Sequence, residues 1–274
     1  MSYVEATASS LVNNGRIKLH TAEDFEGMRK AGRVAALVLD AVGKLVKPGV
    51  TTNELDKFCY EMGMDLGALS ATIDYRGYTK AICTSINHVI CHGIPNDKPL
   101  KKGEIVNIDV TFIVDGWHGD SSRMFLVGDV PLKARKLVNA TYEAMMLGIA
   151  EIKPGATTGD IGAAIQEYAE GLRYSIVRDF CGHGIGRIFH DVPNIMHYGL
   201  RGHGTLLKEG IFFTVEPMIN LGKPTVRLKS DGWTAVSRDR SLSAQFEHSV
   251  GVTKDGVEIF TTSPEGLHKP PFDE

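Results

Sequence analysis

From Thr21 onward, apolar positions recur at helical spacing: Met28, Val34, Leu37, Val38, Ala41 and Leu45 fall on one face of a 3.6-residue repeat. Thr21 and Asp24 have the spacing of a capping box, which predicts the start of that helix. Lys47-Pro48-Gly49 predicts its end, because proline lacks an amide proton and glycine accepts the turn. A second helix is predicted over 52–63. The same design then returns later in the chain. A periodic stretch over 134–152 is closed by Lys153-Pro154-Gly155, and another helix is predicted over 158–171.

The return is a repeat in the sequence itself. Lys47-Pro48-Gly49-Val50-Thr51-Thr52 is echoed by Lys153-Pro154-Gly155-Ala156-Thr157-Thr158. The run from Lys102 through Gly103 to Asp109 is echoed by Lys208 through Gly210 to Glu216, and His92-Gly93-Ile94-Pro95-Asn96 by His190-Asp191-Val192-Pro193-Asn194. Three echoes in one order imply two related α+β halves with a pseudo-twofold relation, over about 21–130 and 131–263. The expected architecture is one sheet wrapped by helices, with a site where the halves meet. Residues 1–20 lack strong periodicity and are expected to form a loosely ordered arm. Residues 264–274, with Pro264, Pro270 and Pro271, are expected to form a tail.

Composition adds limits. With 43% hydrophobic and 23% charged residues among 274, the chain reads as one globular catalytic-sized domain with ample core. A formal charge of −3 excludes a basic footprint for nucleic acid or an anionic membrane. No secretory signal opens the chain and no run of 18 apolar residues interrupts it. Cys59, Cys83, Cys91 and Cys181 form no close pair, which predicts free thiols in the cytoplasm and no structural zinc.

The chemistry begins with carboxylates in the wrong place. Asp109 stands in Ile105-Val106-Asn107-Ile108-Asp109-Val110-Thr111-Phe112-Ile113-Val114, a predicted buried strand, where an unpaired charge costs several kcal/mol or more. Glu216 poses the same problem at the echoed position, in a strand predicted over 211–219. Two acids at matching positions in the two halves point to a shared cationic partner. Asp120 follows Asp109 across Asp115-Gly116, a hairpin signal that brings both acids to one end of adjacent strands. Glu247 lies in a further strand pattern over 245–252. His183 is bracketed by Gly182 and Gly184, which suits a ligand held at a tight turn. Taken singly, these residues also read as an ion-paired strand acid, a polar turn flank, a solvated strand position and a loop histidine. Taken together, four carboxylates and one imidazole suit a pair of divalent ions such as Mn, Fe, Co or Zn. Such a pair activates water for hydrolysis.

Motifs across about 21–261 carry a family resemblance. Cys91-His92-Gly93-Ile94-Pro95, Asn107-Ile108-Asp109-Val110, His118-Gly119-Asp120-Ser121-Ser122, Gly182-His183-Gly184-Ile185-Gly186, Thr214-Val215-Glu216-Pro217-Met218 and Ser243-Ala244-Gln245-Phe246-Glu247-His248 closely resemble those of type I methionine aminopeptidases. The resemblance implies an α+β pita-bread fold: two halves around a curved antiparallel sheet, helices outside and a dinuclear metal site between. It implies that Asp109, Asp120, His183, Glu216 and Glu247 are the ligands of two divalent ions, with Asp109 and Glu247 shared. Glu216 would also help activate water, His92 would sit near the scissile amide, and His190 would bond the substrate carbonyl. A methionine pocket of Tyr75, Tyr78, Cys83, Phe189 and Trp233 is implied too. Thioethers favour such ring edges.

The implied activity is removal of the initiator methionine from the N-termini of nascent polypeptides whose second residue is small. The implied setting is a cytoplasmic monomer working near the ribosome. The sequence departs from many bacterial relatives at Thr72, Arg76 and Thr79, where cysteine, histidine and proline are usual. It lacks the zinc-binding extension of eukaryotic type I enzymes and the insertion of type II, so it resembles the short bacterial form. An X-Pro aminopeptidase or prolidase shares the fold and metal set but usually carries a further N-terminal domain. A non-catalytic binding protein of this fold would have lost ligands that are all present here.

Overall fold

The computed structural model describes residues 2–5 and 16–272. Four helices and a large antiparallel sheet make up the described fold. Helix α1 (Ala22–Gly43) opens on the predicted capping box: the Asp24 amide donates to Thr21 Oγ1 at 3.4 Å and the Thr21 amide to Asp24 Oδ2 at 3.0 Å. Its buried face is not quite the predicted one. Met28, Val34 and Val38 are buried beside Ala31, Ala35, Leu39 and Val42, whereas Leu37, Ala41 and Leu45 are half-buried. Small alanines let the helix lie close on the strands beneath, so the contact stripe follows Ala31, Ala35 and Leu39 rather than Leu37, Ala41 and Leu45.

The remaining helices are α2 (Thr52–Asp65), α3 (Leu132–Ala150) and α4 (Thr158–Gly171). The internal repeat is visible in their caps. Thr51 donates its amide and hydroxyl to Glu54 Oε2 at 2.7 and 2.8 Å, and Thr157 does the same to Asp160 Oδ2 at 2.7 and 2.8 Å. Just upstream, Gly49 and Gly155 take left-handed backbone angles, φ 98° and 90°, which any side chain would resist. Each donates its amide to the equivalent leucine carbonyl, Leu100 at 2.8 Å and Leu207 at 3.0 Å. One local solution has been used twice.

The nine-stranded sheet joins the halves. Its path runs Asp191–Ile195, Gly182–Gly184, Phe212–Val215, Glu247–Val252, Trp117–Leu126, Ile105–Val114 and Leu69–Ser70, with Val257–Ile259 and Ile82–Ile86 attached at its side. The seam is the pairing of Glu247–Val252 with Trp117–Leu126. Helices α1 and α2 lie with the first-half strands and α3 packs on α4 over the second, so each half has its own apolar cluster. There are two further three-stranded sheets: Ser175–Ile176, Met218–Asn220 and Ser243–Gln245 form one, and Val89–Cys91, Ala235–Ser237 and Val226–Leu228 the other. Among the described residues, no helix is long and apolar enough to cross a membrane.

The two expectations for the termini fall partly outside the described residues. Where the arm is described, Ser2–Glu5 pairs antiparallel with Arg16–Leu19. The described part of the tail is packed down: Phe272 meets Phe125 at 5.5 Å between ring centroids, and Lys269 pairs with Glu143. Beneath this segment lies a buried ion pair, Arg123 Nη1 to Asp40 Oδ1 at 2.7 Å, with the Ser263 hydroxyl 2.8 Å from both Asp40 oxygens. It ties α1, the seam strand and the tail together. Asp40→Ala would leave the Arg123 guanidinium buried without its counter-charge, which costs about 3–5 kcal/mol. The expected result is a lower denaturant midpoint with an unchanged slope, read by urea titration of the metal-free protein.

Candidate active site

The site is set by strand register. Ile105–Val114 and Trp117–Leu126 form a hairpin whose turn, Asp115-Gly116, has positive φ at both residues, 49° and 80°. That register places Thr111 opposite Asp120 and Asp109 opposite Ser122. Side chains of facing residues share a face and alternate along a strand, so Asp109 and Asp120 are diagonal neighbours on one face. At the seam, Glu247 from the second half stands opposite the same Ser122. Asp109 and Glu247 therefore flank one small serine, one from each half of the molecule.

Three local expectations need correction. The strand predicted over 211–219 is broken at Glu216-Pro217 into Phe212–Val215 and Met218–Asn220, which join different sheets. Pro217 has no amide to donate to a ladder, and the break leaves the Glu216 side chain at a strand end facing the interior. The pattern over 245–252 is likewise broken at Phe246, so Glu247 begins its strand, and at 3% exposure it is no solvated position. His183 is not at a turn but in the middle of the short strand Gly182–Gly184. Its glycines serve close approach rather than unusual dihedrals. A Cβ on Gly182 would stand 2.3 Å from the Thr214 carbonyl oxygen, and one on Gly184 2.0 Å from that of Val192.

These elements bring the acids and the imidazole to one cavity. His183 Nε2 lies 3.5 Å from Asp120 Oδ2 and 3.6 Å from Glu216 Oε1. Asp120, His183 and Glu247 each present a ligand atom within 4.8 Å of the others. Asp109 and Glu216 line the same cavity, of about 390 Å³. Neighbours hold them in place. His183 Nδ1 is 3.0 Å from the Gly184 carbonyl, which can only accept, so the proton sits there and Nε2 keeps its lone pair. The Thr111 hydroxyl donates to Asp120 Oδ1 at 2.7 Å and the Thr214 hydroxyl to Glu216 Oε1 at 2.8 Å. Gln245 Nε2 reaches Glu216 Oε2 at 3.3 Å.

The electrostatics of the cluster call for cations. Burial first, and then the Asp120 and Glu216 charges, hold the Asp109 carboxyl well above the usual carboxylate range. Burial, then Asp120, Glu216 and Asp109, do the same to Glu247. Burial lifts Glu216 to about 7, with His183 opposing the shift and Asp120 adding to it. Burial lowers the His183 pKa, but the Asp120 and Glu216 carboxylates outweigh it and the net shift is upward. Four acids meet one imidazole, and Arg76 at the mouth is the sole lysine or arginine among the described residues that line the cavity. Oxygen donors with one imidazole nitrogen, mutually repelling without a counter-charge, fit divalent cations.

Around the acids the other expected residues are all in the cavity wall. His92 follows the Val89–Cys91 strand in a left-handed conformation, φ 56°, and its ring meets Phe180 and Trp233 edge-on at 5.6 and 6.0 Å. Burial lowers its pKa, which keeps the imidazole neutral. His190 stands at the mouth, 4.2 Å from the His183 ring and stacked on Tyr75 at 5.1 Å. Although exposed on one side, it is lowered to about 3, first by the crowding of its other side and next by His183. Tyr75, Tyr78, Cys83, Phe189 and Trp233 line the cavity with them. Tyr78 meets Trp233 edge-on at 5.0 Å and donates its hydroxyl to the Ile82 carbonyl at 3.0 Å. Cys83 lies opposite Asp109 in register, directly beneath the acids.

The structure adds residues that sequence reasoning did not assign. Cys91, Phe180, Cys181 and Met218 complete the apolar wall, and Thr111, Thr214 and Gln245 steady the acids. Their signal was adjacency: each lies within three residues of an expected site residue. Nothing in hydrophobic patterning separated them from plain core.

The sequence pattern of metallopeptidase family M24 matches residues 26–254. A protein of Rickettsia prowazekii (strain Madrid E), named methionine aminopeptidase, is 60% identical over 257 residues, 93% of this chain and 99% of its own. The crystal structure of the methionine aminopeptidase from Rickettsia prowazekii superposes with a TM-score of 0.89 over 89% of this chain and 99% of that one, at 60% identity. That of Thermotoga maritima gives 0.88 at 38% identity, over 89% and 99%. The prolidase of Pyrococcus furiosus gives 0.72 at 24% identity, over 89% of this chain and 65% of its own, a likeness of fold alone.

Proposed function

Since the chain belongs to metallopeptidase family M24, we propose that the cavity is a methionyl aminopeptidase site, cleaving the first peptide bond of chains that begin with methionine. The protein is a hydrolase of N-terminal peptide bonds that depends on divalent metal, in the group of bacterial type I methionine aminopeptidases. The observation that carries the reading is the convergence of Asp109, Asp120, His183, Glu216 and Glu247 beside an aromatic and thiol wall.

Those five residues would hold two divalent ions, Co, Mn, Fe or Zn, which when bound would supply an activated water and polarise the scissile carbonyl. The chain's own residues do the rest. Glu216 takes a proton from the attacking water and passes it to the leaving nitrogen. His190 donates an N–H to the carbonyl oxygen as negative charge grows there. His92, held against Phe180 and Trp233, faces the amide nitrogen and steadies it as the bond breaks. Tyr75, Tyr78, Cys83, Phe189 and Trp233 enclose the methionine side chain and exclude water. The substrates are the N-termini of nascent polypeptides. The enzyme works as a cytoplasmic monomer, near the ribosome.

The test is metal-dependent cleavage. Chelated protein should not cleave Met-Gly-Met, and adding back Mn or Co should restore activity. Activity that survives chelation would overturn the reading.

Specificity follows from the wall. Burying a charged first side chain among aromatics and thiols is costly, so leading lysine or glutamate should be released hardly at all. One methylene is worth about 1–3 kcal/mol, so norleucine should be cleaved measurably. Termini of Met-Ala and Met-Gly should be processed and those of Met-Lys or Met-Leu retained, read by mass spectrometry of a peptide panel. Comparable release of methionine before leucine and before alanine would refute the preference for a small second residue.

A further inference from the structure

Among the described residues that line the cavity, Arg76 is the one lysine or arginine, and the proposed chemistry does not use it. It is exposed, yet it is held in place. Its backbone is left-handed at φ 50°, between Asp74 at 63° and Gly77 at 84°, a tight loop in which three of four residues take a sign of φ that side chains resist. Its guanidinium lies over the Tyr75 ring, 5.3 Å from the centroid. Tyr75 in turn stacks on His190 and leans on Phe189 at 4.9 Å. Among the described residues no carboxylate pairs with Arg76. A guanidinium over an aromatic face leaves N–H groups free to donate, and two of them can take a carboxylate through parallel hydrogen bonds.

The position matches the path of a substrate. The first side chain and the scissile bond lie deep, among the acids, with His190 at the carbonyl. The rest of the peptide leaves through the mouth, where Arg76 and His190 are the exposed residues on either side of the Tyr75 ring. Two ring spacings, 5.1 and 5.3 Å, separate His190 from the guanidinium, so the two lie at most about 10 Å apart; two residues of extended chain, about 7 Å, and the length of an acidic side chain together cover that span. We propose that Arg76 is a specificity-determining residue that binds an acidic side chain at the third position of the substrate, two residues after the methionine. The inference rests on the methionyl reading of the site. Asp179 and Asp191 also line the mouth. Asp179 adjoins Phe180 on the His92 side of the cavity, whereas Asp191 adjoins His190 and accepts from the Val192 amide at 2.8 Å. They favour cations at the mouth, so the effect of Arg76 is measured against its own variants rather than in absolute terms.

The experiment compares kcat/KM of the metal-loaded enzyme on Met-Ala-Glu-Gly, Met-Ala-Gln-Gly and Met-Ala-Lys-Gly, at low and high salt, for wild type, Arg76→Gln, Arg76→Lys and Arg76→Glu. A charge pair at an exposed rim is worth a few-fold. The glutamate-to-lysine ratio should fall about threefold to fivefold in Arg76→Gln, carried by KM rather than kcat. It should fall further in Arg76→Glu and be largely retained in Arg76→Lys. High salt should shrink the differences, because exposed charges are screened within about 10 Å at 0.1 M. A ratio that is the same in wild type and Arg76→Glu overturns the inference while leaving the methionyl reading intact. If metal-loaded wild type cleaves none of the three peptides, both fall.

Discussion

Asp109→Ala is expected to abolish methionine release and tight metal binding together, and Glu247→Ala to do the same. Each acid comes from a different half of the molecule, and both face the same Ser122 in the sheet register. A carboxylate placed between two cation positions serves both, so its removal lowers affinity at each rather than at one. The variant also carries a distinctive stability signature. In the metal-free protein Asp109, Asp120, Glu216 and Glu247 oppose one another, which is why burial and mutual repulsion raise Asp109, Glu216 and Glu247 alike. Removing one of them relieves that repulsion, so metal-free Asp109→Ala should melt no lower than metal-free wild type. Wild type should gain stability on loading, about 2.7 kcal/mol when free metal is a hundredfold above Kd, and the variant should gain almost none. Differential scanning calorimetry with and without Mn reads both effects, and metal analysis after dialysis reads stoichiometry. Wild-type stoichiometry with full activity in Asp109→Ala would refute the ligand assignment. A large loss of metal-free stability would recast Asp109 as a structural acid.

What the sequence displayed and what it hid divide along the range of the interactions. The Thr21 capping box and the Asp115-Gly116 hairpin depend on residues within a few positions of each other, and they stand where the pattern placed them, whereas helix α1 stops at Gly43, short of Lys47-Pro48-Gly49. The repeat was legible for the same reason, since each half re-uses one local solution. The failures are tertiary. Whether the run over 211–219 is one strand or two depends on which sheets its ends join, and only the missing amide of Pro217 hinted at the break. The glycines around His183 looked like turn residues, but the space they leave is filled by the Thr214 and Val192 carbonyls, 31 and 9 residues away in the chain. Of the site, the acids stood out because charge is anomalous in an apolar strand. Cys91, Phe180 and Met218 did not, because an apolar residue that lines a cavity looks the same in sequence as one that fills a core. The pairing of Ser122 with Glu247, which brings the two shared acids together, is a contact between residues 125 apart and left no mark in the pattern.

The second large effect separates chemistry from metal retention. His92→Ala and His190→Ala should each keep both metals yet lose about 10²–10³ in kcat, the usual cost of one preorganised transition-state hydrogen bond. Neither ring is part of the acid cluster. His190 packs on His183 and Tyr75, and His92 is pinned between Phe180 and Trp233. Surroundings that lower both pKa values keep the rings neutral, so each can donate one N–H without adding a positive charge beside the metals. The two variants should differ in how the loss is distributed. His190 is assigned to the carbonyl, where charge develops during attack, so its loss should appear in kcat with KM little changed. His92 also touches the wall of the side-chain pocket through Trp233, so its replacement should raise KM as well. An asparagine at 190 retains an N–H donor and should recover part of the lost rate, whereas phenylalanine, which fills the ring space without a donor, should recover none. Steady-state kinetics on Met-Gly-Met, with metal content measured on the same samples, tests the assignment. Wild-type rate in either alanine variant removes that histidine from the mechanism, and loss of metal from His190→Ala would make it a ligand instead.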